Sequence, residues 1–238
     1  MPREDFDLDS LARYLHLTPA QVQKLAERGN VPGRKISGQW KFSRAEIHHW
    51  LEDRIGAADD AGLQDVENVL SRAAGVQADA ATRIVDMFSI EGIAVPLAAR
   101  TRSSVIQAMV DLATQTGFVW DTEKLASAVR ERENLHPTAL ANGAALLHPR
   151  RPLPQILAQP LLAIGRTQQG IPFGASGGRL TDVFFLICSV DDAGHLRTLA
   201  RLSRLIAAPN FLPALRDAVD ARQVLELIEK YEDEIEPA

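Results

Sequence analysis

The sequence predicts an α/β chain in two parts: a small helical unit that carries a β-hairpin, then a larger layered domain in which strands and helices alternate. Three observations predict it. Residues 1–55 hold short helical patterns broken by a turn and by a Gly-containing hairpin signal. Residues 56–83 open on Gly56-Ala57-Ala58-Asp59-Asp60-Ala61-Gly62, a small and polar run that reads as a linker. Residues 84–238 alternate amphipathic helical stretches with short apolar runs, one of them continuous enough for a buried central strand.

Composition sets the bounds. With 238 residues the chain has room for one large or two modest domains. A 46% hydrophobic and 24% charged content allows a real core. The net charge of −5 excludes a chain that coats nucleic acid all over, yet allows a local basic patch. One cysteine permits no internal disulfide and fits a reducing cytoplasm. The acidic, polar amino terminus shows no signal peptide, and no apolar run approaches the ~20 residues that span a bilayer. A cytoplasmic location without membrane association is expected.

In the amino-terminal part, Asp9 or Ser10 can cap a short helix containing Leu11, Ala12, Tyr14 and Leu15. Thr18 reads as the N-cap of a second helix with Pro19 at its first position, and Gly29 as its stop. Residues 31–42 then read as a hairpin turning at Ser37-Gly38. Ser43 caps a last helix with Ile47, Trp50, Leu51 and Ile55 on one face. Trp40 and Trp50 are expected as core anchors. Helix, turn, helix, hairpin, helix outlines a winged helix-turn-helix. Residues 28–44 contain Arg28, Arg34, Lys35, Lys41 and Arg44 and no acid, which suits phosphate contacts, while Gln21, Gln23 and Lys24 face solvent on the second helix. His48 and His49 are adjacent and make a poor metal pair. The parts ARYLHLT, GNVPGRKISGQWKF and SRAEIHHWL resemble the excisionase-type branch of the MerR-like winged-helix family, which implies DNA binding. In the connector, Leu63, Val66, Val69 and Leu70 form a narrow stripe on a helix spanning 63–74. Pairing with a second copy and docking within one chain both remain open for it.

In the carboxy-terminal part, strands are expected within 90–97, at 144–147, at 161–165 and at 182–190. Helices are expected at 103–117, 121–133, 195–207, 210–215 and 220–231, the third capped by Asp191 or Asp192. Residues 232–236 read as a solvated acidic tail. Cys188 is expected as a buried small hydrophobe. The stretch RENLHPTALANGAALLH, residues 132–148, puts His148 at the end of a short apolar strand, where α/β sheets place their chemistry. Imidazole there can carry a proton or a phosphoryl group near neutral pH, or simply be a half-buried strand-end histidine. No Walker-type loop and no Cys/His cluster appears, so neither metal nor cofactor is expected.

The same stretch resembles the site loop of enzyme IIA domains of the bacterial phosphotransferase system, of the mannitol/fructose class that includes the nitrogen-regulatory form. Arg132-Glu133, Thr138, Asn142-Gly143, Ala145 and His148 fall in register with that class, and residues 170–206 continue the likeness, with His195 matching its second active-site histidine. The resemblance implies a mixed sheet flanked by helices. It also implies that His148 is phosphorylated by a phosphorylated HPr-type carrier protein, and that His195, Arg132 and Thr138 support the transferred group. Together with the amino-terminal resemblance it implies a transcriptional regulator; the alternative is an adaptor that keeps the fold and has lost phosphotransfer. Leu147 stands where that class has proline, and His136-Pro137, Ala139 and Ala141 replace small or glycine residues of its loop.

Overall fold

A computed structural model describes residues 5–15, 17–44, 46, 47, 50, 51 and 83–235. The chain divides into two compact units, Met1–Ala80 and Ala81–Ala238. The connector helix, His48, His49 and Ile55 lie outside the described residues.

In the first unit, helix α1 spans Leu8–Leu15 and α2 spans Pro19–Glu27. The cap of α1 lies earlier than the sequence suggested. Asp7 Oδ1 accepts the Ser10 N–H at 2.8 Å while Ser10 Oγ accepts the Asp7 N–H at 2.9 Å, a reciprocal pair that Asp9 cannot make. The Ser10 hydroxyl, which donates to Asp7 Oδ1 at 2.6 Å, and then the Ser10 N–H hold the Asp7 carboxyl below its ordinary range, with smaller help from Lys41 and Arg13. Thr18 caps α2 together with Gln21, as Pro19 at the first position requires. Strands β1, Arg34–Ile36, and β2, Gln39–Lys41, form an antiparallel hairpin whose two turn residues, Ser37 and Gly38, both have positive φ. Leu11, Val22, Phe42 and Ile47 are fully buried and form the core of this small unit. Trp40 and Trp50 are only half-buried; Trp40 stacks on Phe42 at 5.9 Å, and Lys35 Nζ lies 5.1 Å from its ring centroid.

The second unit is a four-stranded mixed sheet with helices on both faces. The strands are β3, Phe88–Ala94; β4, Ala144–Leu147; β5, Leu161–Pro172; and β6, Leu180–Cys188, in the order β3-β5-β6-β4. β3 runs parallel to β5, β5 antiparallel to β6, and β6 parallel to β4. Helices are α3, Arg102–Gln115; α4, Thr122–Leu135; α5, Asp192–Ala207; α6, Phe211–Asp217; and α7, Ala221–Ile235. β6 is the spine. Residues 183–188 are all 0% exposed. Phe184, Leu186 and Cys188 join the core under α3 and α4, and period-two alternation turns Val183, Phe185 and Ile187 to the opposite face, where α5 packs. Burying each large apolar side chain contributes about 1.5–3 kcal/mol.

Two elements run longer than the sequence indicated. β5 continues past Gly165 to Pro172, because after a register shift its polar second half still pairs with the start of β6. Helix α7 continues to Ile235, so the expected solvated tail is helical over residues 232–235. Glu232 is only 6% exposed, and its carboxylate accepts the N–H groups of Ile84 and, at 3.0 Å, Val85. Arg83 adds ion pairs to Glu229, Glu232 and Asp233.

Candidate functional site

β4 and β6 run parallel as neighbours, so their carboxyl ends meet. His148 directly follows β4, and Ser189 directly follows β6. Asp191 then caps α5 through the Gly194 N–H at 2.8 Å, which sets His195 in its first turn. The two imidazoles end 5.1 Å apart, centroid to centroid, tilted by 51°. Ser189 Oγ lies 3.2 Å from His195 Nδ1.

Arg132 reaches the pair from the last turn of α4. Its Nε donates to His148 Nε2 at 3.1 Å, and its Nη1 donates to the His136 carbonyl at 2.8 Å. His148 Nδ1 lies 2.8 Å from the Leu146 carbonyl, an acceptor only. Nδ1 therefore carries the proton and Nε2 the lone pair. Arg132, His148 and His195 are 5%, 2% and 4% exposed. The site thus holds a nucleophilic nitrogen beside a guanidinium and a second imidazole, in near-complete exclusion from water.

Thr138 belongs to the same loop but is turned to another partner. Both its N–H, at 3.1 Å, and its hydroxyl donate to Glu133 Oε1. Arg102 at the start of α3 donates to Glu133 Oε2 at 3.2 Å and to the Glu133 carbonyl. The loop is fastened at its far end as well. Arg216 binds both Asp182 oxygens at 2.8 Å and the Asn142 carbonyl at 2.9 Å; the Asp182 carboxylate, through those hydrogen bonds and its charge, raises the guanidinium above its ordinary range. Arg102, Ser189 and Arg216 carry no signal in the sequence that marks them for this site; Glu133 falls in the Arg132-Glu133 pattern, which does not reveal its burial.

Comparison with known proteins decides the family. Residues 86–231 match the family described as phosphoenolpyruvate-dependent sugar phosphotransferase system, EIIA 2. The chain belongs to that family. Residues 6–55 match a helix-turn-helix domain. Among relatives, the chain is 22% identical to a PTS system fructose-specific EIIABC component of Bacillus subtilis, over 63% of this chain and 24% of that protein; the chain thus spans about a quarter of that relative's length. It is 30% identical to a PTS system fructose-like EIIA component of Escherichia coli, over 52% of this chain and 83% of that one. It is 28% identical to a nitrogen regulatory protein of Bradyrhizobium diazoefficiens, over 61% and 94%. The fold of the nitrogen regulatory protein IIA-Ntr from Neisseria meningitidis superposes with a TM-score of 0.55 at 18% identity, covering 61% of this chain and 98% of that one. Against this EIIA frame, the expected mixed sheet flanked by helices is present.

On the helix-turn-helix unit, Lys24 and Arg28 are exposed. Gln21 Oε1 is used in the α2 cap, and Gln23 binds Glu27 at 2.9 Å. Arg34 and Lys41 are directly opposite across the hairpin, with Asp5 3.7 Å from Arg34. Lys35 lies over Trp40, and Arg44 is half-buried over the Phe6 ring at 4.2 Å. Among the described residues no helix is long and apolar enough to cross a membrane, and no group of three or more His, Cys, Asp or Glu side chains could hold a metal ion.

Proposed function

We propose that this chain is a regulatory EIIA protein. His148 accepts a phosphoryl group from a phosphorylated HPr-type carrier, and residues 1–55 bind DNA, so that phosphorylation state and transcription are coupled through the connector at 56–83. The observation that carries this reading is the fixed tautomer of His148, with its lone pair on Nε2 beside Arg132. In the transfer, the carrier's N–P bond breaks as the His148 Nε2–P bond forms, and the electron pair returns to the carrier's imidazole. Arg132 Nε gives up its bond to Nε2 and turns to the phosphoryl oxygens. His195 stands at the N-terminus of α5, where positive partial charge favours an anion. The Leu146 carbonyl offsets the positive charge that P–N bond formation draws onto the ring. Thr138, whose own donors are held by Glu133, supports the site through β4, its carbonyl accepting the Leu146 N–H. On the other unit, like charges at Arg34 and Lys41 are unfavourable when directly opposed, and an approaching phosphate relieves that repulsion.

The deciding experiment is intact mass after incubation with phosphoenolpyruvate and the general phosphotransferase proteins. One acid-labile phosphoryl group is expected on the wild type and none on His148→Ala; labelling that survives in His148→Ala overturns the assignment. A second reading, an adaptor without phosphotransfer, is favoured by the 2% exposure of His148 and the covered lone pair. Absence of any mass gain with several donor pairs selects it.

A further inference from the structure

Glu133 is a buried acid that the transfer as described does not use. It is 0% exposed, and a buried carboxylate is costly unless hydrogen-bonded. Here both oxygens are occupied: Oε1 by the N–H and hydroxyl of Thr138, Oε2 by Arg102. From Thr138 the bonding continues toward the site. The Thr138 carbonyl accepts the Leu146 N–H at 3.3 Å, and the Leu146 carbonyl accepts Nδ1–H of His148 at 2.8 Å. An amide fills the same volume as a carboxylate, so packing alone does not call for the acid. What the carboxylate adds is acceptor-only character, which makes Thr138 direct both its donors inward. We infer that Glu133 is a positioning residue for phosphoryl transfer at His148, acting through Thr138 and β4 to hold the imidazole in its Nδ1–H form; this rests on the reading of His148 as phosphoryl acceptor.

Arg102 completes the device. It ties the carboxylate to the first residue of α3 and lies 5.6 Å over the Phe173 ring. Phe173 precedes Gly174, where a Cβ would meet the ring of Pro137, the residue just before Thr138, at 2.6 Å. Glu133 thereby links the loop to two neighbouring elements of the fold. Replacing it with Gln puts an N–H donor where either Thr138 or Arg102 already offers one, so one of the two must turn away.

The test uses the full chain labelled with ¹⁵N-histidine, with Glu133→Gln, Thr138→Val, Thr138→Ser and the Glu133→Gln/Thr138→Val pair. Folding is followed by near-ultraviolet circular dichroism. The expected result is a phosphorylation rate reduced on the order of 10²-fold in Glu133→Gln, with the KM for the donor protein unchanged. Imidazole ¹⁵N shifts of His148 are expected to move from one tautomer to a mixture. Thr138→Val should match that loss, Thr138→Ser should restore most of it, and the double variant should be no worse than the poorer single one. A folded Glu133→Gln with wild-type rate and one tautomer overturns the proposal, as do losses that multiply in the double variant. If Glu133→Gln does not fold, the two Thr138 variants decide the same point through rate and tautomer. If the wild type takes no phosphoryl group from any donor pair, the acceptor reading fails on its own. The tautomer measurement then still decides whether Glu133 positions the ring.

Discussion

Gly143 sits five residues before His148 at φ +89, in the turn that feeds β4, and replacing it with Ala tests how that turn is held. Two costs add. An alanine in the left-handed region is strained by about 1–2 kcal/mol. Its Cβ would also lie 2.7 Å from Arg216 Nη2 and 3.3 Å from Asp182 Oδ1. The guanidinium must then withdraw from at least one of its three bonds to Asp182 and Asn142. A charge-assisted bond contributes about 1.5–3 kcal/mol when buried, and Arg216 is 32% exposed, so roughly half of that is expected here. The sum is about 2–3 kcal/mol, which lowers the Tm of this unit by about 4–12 °C. Gly177→Ala is the control, because Gly177 has φ +70 but nothing within 4 Å of a Cβ, so it pays only the strain. Denaturant unfolding of wild type, Gly143→Ala, Gly177→Ala, Arg216→Ala and Gly143→Ala/Arg216→Ala measures each part. A Gly143→Ala cost no greater than that of Gly177→Ala, or a clash that persists in the Arg216→Ala background, rules out Arg216 as the group the new Cβ displaces.

Three further outcomes are expected. Burial pushes the Cys188 thiol up to about 12 from 9.0, so the native chain should resist iodoacetamide at pH 8 and react on unfolding. The unfolded thiol ionises first as pH rises, so this group's contribution is complete below pH 9 and falls by about 1.4 kcal/mol per unit between pH 9 and 12; a Cys188→Ala variant with the same alkaline slope in urea titrations counts against it. Glu232→Ala leaves two backbone N–H groups without their acceptor and should cost about 2–4 kcal/mol, read as faster hydrogen exchange at Ile84 and Val85; unchanged exchange there contradicts the clamp. Lys35→Ala should weaken binding to duplex DNA of any sequence and reduce the slope of log K against log salt by about one; an unchanged slope removes Lys35 from the interface.

The parts legible in the sequence were those set by local rules. Thr18-Pro19 and Gly29 bracket α2 because caps act within a turn of the chain. The apolar run at 183–188 declares a central strand because both its faces are buried. The place of His148 at a strand end was legible because it closes a four-residue apolar run. Long-range pairing left weaker marks. The second half of β5 is polar, with Gln168 and Gln169 exposed, and is a strand only because β6 lies beside it. Glu232 reads as one acid among several; its burial follows from the arrival of Ile84, 148 positions away in the chain. Arg102 meets Glu133 across 31 positions, a distance over which residue spacing carries no information about contact.

β4 is last in the strand order, yet it has no open side. Residues 138–140 fold back along it: Ala139 bridges Ala145, the Leu140 N–H reaches the Ala144 carbonyl at 2.8 Å, and the Leu146 N–H reaches Thr138. All four of its residues are buried. A visiting protein therefore finds no free backbone ladder beside His148 on which to lay a strand of its own. Recognition at this end of the sheet must be read through side chains and surface shape, so an extended peptide copied from a partner should be a poor competitor there, and a folded partner a good one.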